Sequence, residues 1–375
     1  MKLSLLRLVP VAALAACSSA SPEPAPSPAP AEPAAVEETP CDEGSYRTLQ
    51  GACTRFASVS LAPSPVTLAP ARDHHTSIVR ETADGPYLYV FGGGVDNDTM
   101  LDDVQRAKIS PDGSLGAFEQ VGKLPAARAG HCIVDLGERV LLLGGYVGRK
   151  TSATSVTVAF DAAGHVSETA AGPDLPLPVM HLTCDRKGDY VYVLGGKGAN
   201  ERATRLSARV KVDARGTVGG FEAQTALTPD RSHHAAFVRG DRLYVVGGIS
   251  GSPNIGEAQN HKDAISAAIG ADGVLGAWEP AGELPKELSV SAALLHDDAV
   301  YLVGGLEGEW FTTAVRRATF ATDGTLTKFV TVPAKLAEAR GHVHQLPSWG
   351  SFFYSVGGKN DLEKSIGTVE VGRFE

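Results

Sequence analysis

Tryptophan and methionine are scarce, three of each in 375 residues, and aromatic residues make up only 6%. The shortage does not remove a core, because 43% of the residues are hydrophobic and a chain of this length can bury many of them. No cluster of Lys and Arg stands against the formal charge of −9, so the counterion release that drives nucleic-acid binding has no footprint. DNA and RNA are not expected partners. The apolar run in the first sixteen residues is broken by Pro10 and too short for a membrane-spanning helix. Also missing are a nucleophile elbow, a phosphate loop, a metalloprotease helix and a dinucleotide fingerprint. With no such constellation, the chain is expected to be no enzyme and to use no cofactor.

The N-terminus carries Lys2 and Arg7, then the apolar run, then Leu14-Ala15-Ala16-Cys17. This is the layout of a signal peptide over residues 1–16, and the last four residues resemble the bacterial lipobox. The resemblance implies that Cys17 is lipidated, with ordinary signal cleavage beside an incidental cysteine as the alternative. Ser18 in the next position implies outer-membrane delivery, with the folded part facing the periplasm or the cell surface. Residues 18–40 are rich in Pro, Ala, Ser and Glu, with almost nothing able to pack, and read as a polyproline II stalk. Of the remaining cysteines, Cys41 and Cys53 are close in sequence with turn residues between them, and are expected to bridge. Cys132 and Cys184 occupy equivalent positions in neighbouring repeats and read as buried thiols unless the geometry joins them.

An apolar triplet ending in Gly-Gly occurs six times, with the first glycine at 92, 144, 195, 247, 304 and 357. The spacing is close to fifty throughout, which marks an array of repeats. Ahead of five of the six diglycines stands a polar cluster: Arg72 to His75, Arg128 to His131, His181, Arg231 to His234, and Arg340 to His344. Beyond the diglycine comes a turn glycine followed five residues later by an aromatic, as in Gly113 and Phe118 or Gly273 and Trp278, with Thr169 in that place in the second repeat. Asp112-Gly113, Asp272-Gly273 and Asp323-Gly324 suit tight hairpins. Each repeat therefore predicts four antiparallel strands, and the chain is all-β.

These six in-phase repeats resemble the kelch family from about residue 54 to residue 375. The resemblance implies a six-bladed β-propeller with four antiparallel strands per blade. The last repeat stops after a third strand, whereas the residues before Arg72 occupy a fourth-strand position with no blade of their own. The N-terminal strand is expected to complete the last blade and so remove an open edge. Residues 41–53 form a small cysteine loop ahead of it.

Transferred by position, the kelch layout puts Arg72, Arg128, Arg231 and Arg340 beside His75, His131, His181, His234 and His342 at the mouth of the central channel. They are candidate ligand donors, or else a packing signature. A metal is not expected, because no close-spaced His, Cys or carboxylate motif supports one. The loops after Gly-Gly vary, and variable loops on a rigid scaffold are where binding sits. Among their residues, His261 and Trp310 are further candidates, Trp310 as an aromatic anchor or a cover for a blade edge. The expected function is a monomeric, non-catalytic binding module for a protein or a glycan. The alternative is a carbohydrate-active enzyme resembling the kelch sialic-acid mutarotases.

Overall fold

The computed structural model describes residues 41, 45–47, 52–55, 57–96, 98–252 and 256–375. The expected signal peptide, Cys17 and the segment 18–40 lie outside them. Cys41 and Cys53 are both disulfide-bonded, and Cys53 opens the second strand of a hairpin, Ser45–Arg47 against Cys53–Arg55. Among the described residues every regular element is a strand.

Six four-stranded antiparallel sheets follow one another along the chain. Sheet 1, formed by Thr76–Thr82, Gly85–Phe91, Asp103–Lys108 and Glu119–Lys123, shows the common order, with the diglycine leaving the second strand. Sheets 2 to 5 start at Cys132, Thr183, Ala235 and Ala292. Their second strands are almost continuously apolar, such as Val140 to Leu143 and Val300 to Val303, and fully buried. That is the pattern of a strand covered on both faces, and the reason lies in the packing between sheets. Six apolar clusters form the core. Each joins two sheets: 1 with 2, 2 with 3, 3 with 4, 4 with 5, 5 with 6, and 6 with 1.

Sheet 6 is made from both ends of the chain. Its strands Ser348–Trp349, Phe352–Val356 and Val369–Phe374 are completed by Val59–Pro63, which runs antiparallel to the last, with Val59 opposite Phe374 and Pro63 opposite Glu370. Leu68 then packs between sheets 6 and 1.

The repeated tyrosine of the second strand has a partner in the next sheet. The hydroxyls of Tyr89, Tyr192, Tyr244 and Tyr354 donate to the carbonyls of turn glycines Gly164, Gly273, Gly324 and Gly113, at 2.7 to 3.1 Å. These turns sit at the end of each sheet opposite the diglycine, so the two sequence columns meet across sheet boundaries.

Cys132 and Cys184 form a disulfide, with Cα atoms 5.9 Å apart, so the geometry joins them and the reading as buried thiols gives way to its alternative. The physical reason is that both lie on first strands of adjacent sheets that pack directly together. The bond closes a loop with a sequence separation of 52, a constraint on the unfolded chain of about 4 kcal/mol in the loop-entropy estimate. Replacing both cysteines by serine is expected to lower stability by about 2–4 kcal/mol, read as a lower urea midpoint with a steeper slope, because the unfolded chain without the cross-link exposes more surface.

Candidate functional site

The site begins with the polar cluster that enters each first strand. Its third residue is His74, Gly130, His181, His233, Val290 or His342, and all six hold positive φ between 50 and 62°. Such a conformation is costly for a side chain as bulky as valine and persists only where the surroundings impose it. Here the imposing element is a closed cycle of backbone hydrogen bonds. His74 N–H donates to the His342 carbonyl, Gly130 to His74, His181 to Gly130, His233 to His181, Val290 to His233, and His342 to Val290, at 2.8 to 3.2 Å.

A second cycle surrounds the first. The second glycine of each diglycine donates its N–H to the first residue of the next cluster: Gly93 to Arg128, Gly145 to Val179, Gly196 to Arg231, Gly248 to Leu288, Gly305 to Arg340 and Gly358 to Arg72. The close approach explains the glycines. A Cβ on Gly195 would lie 2.3 Å from the Arg231 carbonyl oxygen, and φ there is +58°.

The arginines are committed to this scaffold. Arg72, Arg231 and Arg340 donate to the carbonyls of Gly92, Gly247 and Gly357 at 2.8 to 3.1 Å, and Arg128 donates to that of Gly144. Arg72 also forks onto Asp103 (2.6 and 2.9 Å), Arg231 pairs with Asp263 (2.5 Å), and Arg340 pairs with Glu370 (3.1 Å). All four guanidinium groups are buried. Of the two readings open for them, ligand donors or a packing signature, this geometry favours the second, because every one of them closes its own diglycine turn.

In the second and fourth clusters the fourth residue reaches across a sheet boundary. His131 Nε2 is hydrogen-bonded to Thr76 Oγ1 (2.8 Å) and His234 Nε2 to Thr183 Oγ1 (2.7 Å), each across to the preceding sheet. His75 is likewise buried, so these three candidates serve packing. His261 is also buried, with Nε2 on Ser250 Oγ at 2.8 Å and Nδ1 3.3 Å from Asp263.

Burial, with Arg231 beside it, pulls His234 down to about 3. Burial, with Arg128, His344 and His75 facing it, holds His131 well below the usual imidazole range. Both are neutral in the folded chain and titrate near 6.5 once unfolded. The unfolded state therefore binds more protons below that pH. The stabilisation is complete above pH 6.5 and is lost as the pH falls toward 3, each group costing about 1 kcal/mol per pH unit on the way. Urea midpoints measured between pH 7 and pH 5 should fall accordingly. In the His131→Gln/His234→Gln double variant the slope should flatten, and an unchanged slope would contradict the assignment.

The third-residue histidines converge at the centre. Ring centroids of His74 and His342 are 4.1 Å apart, those of His74 and His181 4.9 Å, and those of His181 and His233 3.9 Å. His74, His181 and His342 bring one ring nitrogen each within 4.8 Å of the others. Burial first, then the neighbouring imidazoles, holds His181, His233 and His342 well below the usual range. Sequence reasoning singled out His181 and His342 but missed His74 and His233. The signal that separates them from their neighbours is backbone φ, which the sequence does not print.

On the loop side of this histidine cluster lies a pocket of about 330 Å³ lined by Asp73, His74, Tyr146, His181, Lys197 and Glu201 among others. Asp73 is buried; burial raises its pKa, but its hydrogen bonds to His74 and Ser365 outweigh that and hold it below the usual carboxylate range. On the other side a cavity of about 400 Å³ runs along the first strands, past His181, His233 and His342. There Asp185 is pushed up to about 6 by burial, although it accepts hydrogen bonds from Arg186 and Val238 N–H. Trp310 stands apart from both, 65% exposed on the hairpin Leu306–Glu307 with Trp310–Phe311 that follows the fifth diglycine.

Residues 49–248 match the KLHDC2/KLHL20/DRC7 kelch-repeats domain. Beta-scruin of Limulus polyphemus is 24% identical over 262 residues, which is 67% of this chain and 27% of that protein, so the chain spans about a quarter of that relative. Among solved structures the fold is similar to that of YjhT, with a TM-score of 0.63 at 10% identity, covering 82% of this chain and 95% of YjhT. The expectation that the chain is no enzyme is corrected, because it rested on missing sequence motifs alone and this likeness of fold, at 10% identity, gives it no support. The absence of a catalytic sequence motif was a poor ground for the expectation, since the third-residue histidines are gathered from separate repeats. Six in-phase repeats, the all-β sheets they form and the matching family model together place this chain in the kelch-repeat family.

Proposed function

We propose that the six sheets are the blades of a closed six-bladed propeller that binds a protein or glycan on its diglycine loop face. We further propose that it is exported, lipid-anchored through Cys17, and held off the membrane by residues 18–40. The two six-membered hydrogen-bond cycles and the core cluster at every sheet pair support closure. The lipobox-like start and the proline-rich segment support the address.

The observation that carries the binding reading is a pair of exposed apolar side chains on adjacent loops. Trp310 is 65% exposed and Leu362 is 79% exposed. Their loops are tied together, Phe311 N–H donating to Asp361 Oδ1 at 2.7 Å. Large apolar groups held on rigid loops are the usual anchors of an interface. Screening the chain against glycan and peptide arrays, then measuring affinity for a captured ligand, tests the reading. Trp310→Ala is expected to weaken binding at least tenfold, and an unchanged affinity would count against it.

A second reading, exchange of sugar anomers, is favoured by the loop-side pocket, where Asp73, Glu201, Lys197 and His74 offer acid and base groups within a volume suited to one sugar. NMR of anomer exchange over a panel of sugars tests it. Acceleration lost in Glu201→Gln supports the reading, and no acceleration of any sugar sinks it.

A further inference from the structure

We propose that His74, His181 and His342 form a binding site for one divalent first-row transition cation, with Zn²⁺ as the reference ion, at the floor of the loop-side pocket. Three imidazoles from three different sheets converge with their ring nitrogens within 4.8 Å of one another. Two nitrogens each about 2.1 Å from one tetrahedral ion lie about 3.4 Å apart, so the cluster needs to close by up to about 1.4 Å, within reach of side-chain rotations. An all-imidazole donor set selects zinc, nickel or copper over magnesium and calcium, which prefer oxygen.

Two further observations point to a ligand. The Nδ1 atoms of His181 and His342 are buried with no hydrogen-bond partner, as are those of His75, His131 and His234, but of these five only His181 and His342 belong to the converging trio, and His181 as a whole is 5% exposed. Leaving such atoms unmatched costs free energy, and a shared cation would satisfy both. His74 is prepared differently. Its Nδ1 is hydrogen-bonded to Asp73 Oδ1, and Ser365 Oγ donates to the other Asp73 oxygen at 2.7 Å. A carboxylate behind a histidine fixes the ring and leaves Nε2 for the metal, which is the usual outer-shell arrangement of a metal centre. His233 stacks on His181 and has its Nδ1 on Ser232 Oγ at 3.0 Å, so it buttresses the cluster from the side.

His74 and His181 line the loop-side pocket, which gives the ion a path in and a fourth coordination position that faces the pocket. Three protein ligands with one open position is the pattern of a zinc site that binds or activates a small ligand, whereas four closed ligands would make a purely structural site. The spacing rules applied to the sequence miss it because the three ligands come from separate repeats.

The test uses the full-length chain without a histidine tag, stripped by chelator and titrated with Zn²⁺ alone by calorimetry, with bound metal counted after gel filtration. One equivalent per chain is expected. His342→Gln is expected to weaken binding at least a hundredfold, and Asp73→Asn roughly tenfold to a hundredfold, the size of an outer-shell effect. The exposed His165→Gln should bind like the parent, and far-ultraviolet circular dichroism checks that each variant is folded. Co²⁺ substituted at the site should show ligand-field bands that disappear in His342→Gln. No stoichiometric uptake at 100-fold excess (a ratio of about 10²) of Zn²⁺, or uptake undiminished in folded His342→Gln, would overturn the proposal. The result is independent of Trp310, so its failure leaves the loop-face reading untouched.

Discussion

A chain that begins at Ala69 is expected to lose its cooperative melting transition or to aggregate, whereas one that begins at Ala57 should melt almost like the full chain. The difference is the strand Val59–Pro63, whose five residues pair with Val369–Phe374. Around it, Ser58 and Glu375 exchange backbone hydrogen bonds at 2.8 and 2.9 Å, Ser64 N–H donates to Val369, and Leu68 N–H donates to Gly367. Val59 and Leu61 pack on the core between sheets 5 and 6, and Leu68, 2% exposed, fills the core between sheets 6 and 1. Burying one such side chain contributes about 1.5–3 kcal/mol, and a net hydrogen bond about 1 kcal/mol. The sum is comparable with the whole stability of an ordinary domain. Deletion also leaves Val369–Phe374 as an open edge, the form of strand most prone to pair with another chain. Differential scanning calorimetry on both truncations gives the answer, and equal melting of the two would show that the strand does not complete sheet 6.

Arg340→Met is expected to destabilise the chain by about 3–5 kcal/mol, the cost of leaving a buried charge without its partner. Glu370 is 1% exposed and pairs with Arg340 at 3.1 Å, while its carboxylate also accepts the N–H groups of Ala337 and Glu338. The arginine holds the Gly357 and Thr368 carbonyls as well, at 3.1 and 2.9 Å. Removing Glu370 together with Arg340 should recover only part of the loss, because two backbone donors then lose their acceptor. Urea unfolding of both variants measures this. A loss below about 1 kcal/mol in Arg340→Met would mean that the guanidinium is free for a ligand after all.

Much of the fold was readable because the physical demand repeats. Each diglycine must pass close to the arginine-column carbonyl of the next repeat, so glycine recurs with the period of the sheets. The tyrosines recur because their hydroxyls reach the turn glycines of the neighbouring sheet. The candidate site was less readable. Within Arg72 to His75, two adjacent histidines point in opposite senses, and only the positive φ at His74 turns that ring inward. The same holds for His233 and His234, so choosing His75 and His234 as ligand residues selected the packing partners. The Cys132 and Cys184 bond was invisible for another reason: one repeat of separation says nothing about how closely two first strands approach. For Trp310 the sequence left open an anchor or a cover for a blade edge, and the structure adds that the side chain is 65% exposed.

Recognition is proposed to belong to the diglycine loop face, while the arginines with His131 and His234 hold the sheets together. The most direct measurement places a photo-crosslinking amino acid at position 310 in one variant and at position 274 in another. Val274 is 44% exposed and sits beyond the Asp272-Gly273 turn, at the opposite end of its sheet from Gly247. After irradiation in cells, position 310 is expected to give a discrete crosslinked species that position 274 does not. Crosslinks from position 274 alone would contradict the account.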